Sequence, residues 1–128
     1  KPIRLLTSVP GIGVTTAVTL MVELDDIVCF RNADHLASFI GLVPMCHSSG
    51  ESNGTGDITV RRHFMLRSLL VEAAWVTIRK DPAMTVAYTE YRKRMNPQKS
   101  IIKIARRLVN RIYYVLKHEK EYIPCVVK

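Results

Sequence analysis

KSIIKIARRLVNRIYYVLK, residues 99–117, is the stretch from which the fold can be read. Counted from Ile101, the residues Ile104, Ala105, Leu108, Ile112, Val115 and Leu116 fall at i+3, i+4, i+7, i+11, i+14 and i+15. That is one apolar stripe at helical period. Lys99, Lys103, Arg106, Arg107, Asn110, Arg111 and Lys117 are assigned to the other side. Asn96-Pro97 ends the helix before it and starts this one, since proline is tolerated in a first turn but not in a helix interior.

Working outward, Asp81-Pro82 opens another helix in the same way. Upstream, a helix capped by Asp57 or Thr59 runs through Leu66, Leu70, Ala73, Ala74 and Ile78 to Lys80. Near the start, Ile3 to Thr7 reads as a short helix and Val14 to Leu24 as a longer one. A third begins at Asp34 and ends near Ile40, before Gly41 and Pro44. No period-2 segment competes, so the expected fold is all-α, a single domain over residues 1–128 without internal repeats. Residues 44–57, PMCHSSGESNGTGD, are one long polar loop with three of the six glycines. Loops of that length in small domains are functional or disordered.

Charge is unevenly distributed. Residues 1–60 hold three Lys and Arg against six Asp and Glu, whereas residues 61–128 hold sixteen against five. A basic half of that strength points to a polyanion, most commonly nucleic acid. The longest apolar runs fall far short of the roughly 20 residues of a membrane span, so no membrane partner is expected. No secretory signal opens the sequence, and without an initiator Met it is expected to be a fragment. Cys29, Cys46 and Cys125 are odd in number and widely spaced, which fits reduced thiols in a cytosolic protein. Cys46, His47 and His63 are candidate metal ligands, with His35 nearby, and their spacing matches no usual zinc pattern. Trp75, Tyr88, Tyr91, Tyr113 and Tyr114 stand at helical spacing and read as core rather than as base-stacking platforms.

The sharpest local motif is Pro10-Gly11-Ile12-Gly13 between the first two helices, followed by Ala17 and Leu20. It resembles the helix-hairpin-helix, in which bare glycine backbone and the amides of a helix start approach a DNA phosphate. Gly11, Ile12 and Gly13 are therefore candidate DNA contacts. Beyond it come Phe39, Gly41-Leu42-Val43-Pro44, Ser49-Gly50, Leu66-Arg67, Ala73-Ala74 and Ala105-Arg106-Arg107-Leu108. In that order these motifs, spread over about residues 3 to 124, resemble the C-terminal transposase domain of the insertion-sequence 110/116/902 family.

The resemblance implies a larger enzyme. Its N-terminal RuvC-like domain, absent from this chain, would bind divalent metal (Mg) through four acidic residues. The C-terminal domain would supply a serine that attacks a DNA phosphodiester under the guidance of a structured RNA. DNA and a guide RNA are thus the implied partners, in a homo-oligomer of the full-length enzyme, cytoplasmic and nucleoid-associated in a bacterium. Position for position the serine is Ser49, with Ser48 its neighbour. A serine needs help to become a nucleophile, and Arg61, Arg62, His63 and Arg67 follow it at a helix start that favours an anion. Arg61, Arg62, Arg67, Lys103, Arg106 and Arg107 complete the expected DNA-binding set, and the chain itself is expected to hold no cofactor. In one place it departs from the family, which often has Gly-Asn where this chain has Arg62-His63. The competing reading is a non-catalytic helix-hairpin-helix module of a repair or recombination protein, which has no need of the Ser-Gly loop. A degenerate remnant is the third.

Overall fold

The computed structural model describes residues 2–24, 27–42 and 57–122, and in 57–63 the backbone alone. Among these residues six α-helices follow one another: α1 Pro2–Thr7, α2 Val14–Leu24, α3 Ala33–Ile40, α4 Asp57–Lys80, α5 Pro82–Arg92 and α6 Pro97–His118. A single 3₁₀ turn, Ile27–Cys29, precedes α3. Among the described residues there is no strand, and the domain is all-α as expected. No described helix is long and apolar enough to cross a membrane.

The caps explain most boundaries. Asp81 accepts from the Ala83 amide (3.1 Å) to start α5, and Asn96 accepts from the Lys99 amide (2.8 Å) to start α6. At α3 the cap is Asn32, whose side chain accepts from the His35 amide (2.8 Å), so the helix starts before Asp34. Gly41 closes α3 with φ +94°, a conformation that glycine adopts without strain.

α6 is the centre of the molecule, with α1, α3, α4, α5 and the 3₁₀ turn packed around it. Every residue of its apolar stripe is buried, and Ser100, Val109 and Arg111 are buried with them. Arg111 therefore corrects the sequence reading, which assigned it to the polar side. Its guanidinium is ion-paired with Asp81 and lies over the Tyr122 ring, 4.6 Å from the centroid. The chain after α6 returns to α1, where the Tyr122 amide donates to Ser8 Oγ (2.8 Å).

α1 and α2 form a hairpin, with α1 packed on α6 and α2 on α4. The Ile12 amide donates to the Val9 carbonyl (3.1 Å), and Gly11 has φ +97°. With Pro10 in second place, this is the pattern of a type II turn. Thr77 Oγ1 on α4 lies 2.9 Å from the Pro10 carbonyl and 2.8 Å from that of Ala73, so one hydroxyl proton serves both.

Candidate nucleic-acid interface

The second half of the chain supplies the cations, and the fold gathers part of them. On α6, Lys99, Ile102, Lys103 and Arg106 stand at i, i+3, i+4 and i+7, one helical face. This face borders a cleft of about 740 Å³. Arg67 reaches it from α4, Arg94 and Met95 from the turn between α5 and α6, and Gly41 and Leu42 from the end of α3. Five cationic side chains thus line one recess, and among the described residues no acidic one does.

The five are not equivalent. Arg106 is ion-paired with Asp34 on α3 and hydrogen-bonded to Asn110, so much of its charge is answered within the protein. Arg67 donates from Nε to the Gly41 carbonyl (3.2 Å), which caps α3 and fixes the guanidinium at the cleft wall. Arg94, Lys99 and Lys103 are exposed and make no ion pair among the described residues. An uncompensated group of cations in a recess attracts phosphate more strongly than the same charges scattered on a convex surface.

Of the residues expected from sequence, Arg67, Lys103 and Arg106 come together here. Arg107 does not line the cleft, and its guanidinium lies 3.5 Å from Tyr91 Oη on α5. The hairpin residues are elsewhere, against the far part of α4. A Cβ on Gly11 would lie 1.9 Å from Thr77 Oγ1, so its bare backbone admits α4. Ile12 is buried in the core, whereas Gly13 is exposed with open space around it, at the start of α2. Thr77 is ten residues beyond Arg67, roughly 15 Å along the helix, so hairpin and cleft are separate surfaces. Ser48, Ser49, Cys46 and His47 lie outside the described residues, as do the side chains of Arg61, Arg62 and His63. The chain passes from Leu42, in the cleft lining, directly into that segment.

Sequence reading missed Arg94 as a binding residue and gave Lys99 only a place on a polar face. The signal was the run Arg92-Lys93-Arg94 next to the Asn96-Pro97 helix start. Of that run Arg94 alone lines the cleft, while Lys93 pairs with Glu90 and Arg92 donates to the Met95 carbonyl. Among the aromatics, Tyr88, Tyr91, Tyr113 and Tyr114 pack against the core as expected, whereas Trp75 is exposed and packs edge-on against Tyr88, with centroids 6.0 Å apart. Tyr113 donates to the Phe30 carbonyl (3.2 Å).

In this all-helical domain the cationic recess is the candidate surface for a polyanion, and comparison with known proteins gives the family. Residues 3–89 match the model of the transposase IS116/IS110/IS902 family, and the chain belongs to that family. It is 32% identical over 113 residues to the insertion element IS110 uncharacterized 43.6 kDa protein of Streptomyces coelicolor, covering 88% of this chain and 28% of that protein. It is 40% identical over 72 residues to the transposase for insertion sequence element IS1111A of Coxiella burnetii, covering 56% and 20%. It is 34% identical over 125 residues to the pilin gene-inverting protein of Moraxella bovis, covering 92% and 38%. The chain therefore spans well under half the length of these relatives. No solved structure matches it. The family match favours a transposase over the repair-module alternative.

Proposed function

We propose that this chain is the DNA-handling, serine-bearing domain of a transposase that cleaves and rejoins DNA strands during transposition. The observation that carries the reading is the coincidence of family and charge. A chain of this transposase family gathers five cations around a cleft whose lining leads, at Leu42, into the segment that holds Ser49. In this reading Ser49 Oγ attacks a DNA phosphorus, forming a serine–phosphate ester and releasing a DNA hydroxyl, which takes up the serine proton. Attack of a DNA hydroxyl on that ester reverses the step and rejoins a strand. Arg67, with Arg61 and Arg62, would stabilise the negative charge that builds on the phosphate.

Divalent metal belongs, in the same reading, to an acidic RuvC-like domain of the longer protein. Among the described residues no three His, Cys, Asp or Glu side chains come together, and the cations of the cleft repel a divalent ion. No step is assigned to a metal here. A guide RNA, a homo-oligomer and a place in the cytoplasm at the nucleoid complete the proposal.

The test is covalent trapping with the full-length transposase on a nicked DNA substrate, followed by mass spectrometry of the adduct. Ser49→Ala is expected to abolish cleavage and adduct while DNA and RNA binding persist, and Ser48→Ala to be much milder. An adduct on Ser48 or on Tyr88, or cleavage without any adduct, would overturn the assignment.

A further inference from the structure

The cleft is more than a patch of charge. Its cations stand around Leu42, Met95 and Ile102, of which Leu42 is buried and the other two half-buried. Contacts to a duplex backbone need only donors on an accessible surface, because base faces are hidden in the stack. Single-strand sites, in contrast, combine a cationic groove with side chains on which exposed bases pack, aromatic ones in most cases; here the packing surface is aliphatic and thioether. The volume of about 740 Å³ is within the usual range of small-molecule sites. Resting on the reading of this chain as a DNA-handling domain, we propose that the cleft binds one unpaired nucleotide of a DNA strand. The base lies on Met95 and Ile102, with buried Leu42 behind them, and the flanking phosphates are held by Arg94, Lys99 and Lys103.

The division of labour among the cations follows from their present partners. Arg106 is engaged by Asp34 and Asn110, and Arg67 Nε by the Gly41 carbonyl, so these two shape the cleft. Arg94, Lys99 and Lys103 have no ion pair to give up among the described residues and can meet phosphate at no such cost. An acidic peptide would satisfy the same charges but has no flat apolar group for the floor.

The experiment is fluorescence anisotropy of the 128-residue chain with a short labelled oligothymidylate, the same strand carrying one abasic position, a duplex of equal length, and a polyglutamate peptide. Arg94→Gln combined with Lys99→Gln is expected to weaken the single strand about tenfold and to lower its log–log salt slope by about 1.4, or 0.7 per lost phosphate contact. Both positions are exposed, and circular dichroism verifies that the variant keeps its helices. The abasic strand is expected to bind several-fold more weakly than the intact one, and Met95→Ser to remove that difference. Duplex affinity is expected to fall much less than single-strand affinity. Equal affinity for abasic and intact strands, equal losses for duplex and single strand, or polyglutamate binding as tightly as DNA would each overturn the proposal. If the unmodified chain bound neither strand nor duplex, the DNA-handling reading itself would fail, an outcome distinct from these.

Discussion

Arg111 and Lys103 stand about 12 Å apart on the same helix, yet they belong to opposite chemical worlds. Arg111 is 2% exposed, ion-paired with Asp81 and covered by Tyr122, and its buried Nε has no hydrogen-bond partner among the described residues. Lys103 projects into water with Lys99 and Arg94 beside it, and among the described residues no acid answers them. One region uses its charge to hold α5, α6 and the returning chain together. The other leaves its charge unspent for a ligand. The net positive charge of residues 61–128 thus overstates what a polyanion meets, because Arg111 is withdrawn from it and Arg106 is shared with Asp34.

If this division is right, changes in the buried region should move stability and leave binding alone. Arg111→Leu is expected to cost about 3–5 kcal/mol, since it strands the Asp81 carboxylate in the core. Urea unfolding would measure it, and adding Asp81→Asn, which keeps a capping side chain for α5, should recover part of the loss. A cost below about 1 kcal/mol would mean that the pair is not buried as described.

Gly11→Ala tests the dock between hairpin and α4, with an expected loss of about 2–4 kcal/mol from positive φ and the collision with Thr77. Thr77→Ala in the same chain should relieve the collision and not the backbone strain. A double variant as stable as the parent would show that the turn tolerates a side chain.

On the binding side, Gly13→Asp adds a carboxylate at an exposed α2 start with open space around it. It is expected to weaken duplex binding about fivefold through repulsion of phosphate at the helix end, with thermal stability nearly unchanged. Unchanged affinity would remove the hairpin from the DNA surface and leave the cleft alone. The smallest effect is expected from Asp34→Asn, which frees Arg106. Stability should shift by less than about 1 kcal/mol, as for other exposed pairs, while affinity for a single strand rises about twofold at low salt. A fall in affinity would show that the pair is needed to shape the cleft.

The sequence determined what acts over a few residues. The α6 stripe and the caps at Asp81 and Asn96 were readable because period and capping are set within about one turn. The cationic face Lys99, Lys103 and Arg106 was readable for the same reason. The position of Arg111 was visible too, seven residues after Ile104 and four before Val115, and therefore on the stripe. Its charge argued against burial, and nothing local named a partner thirty residues away. The tertiary structure alone decided that Asp81 meets Arg111, that Asp34 takes Arg106, and that Arg67 and Arg94 join α6 at one cleft. It also turned the bare backbone of Gly11 toward Thr77. These pairings depend on the angles at which whole helices pack, and those angles are set by the sum of many side-chain contacts across the core rather than by any residue's neighbours in the chain.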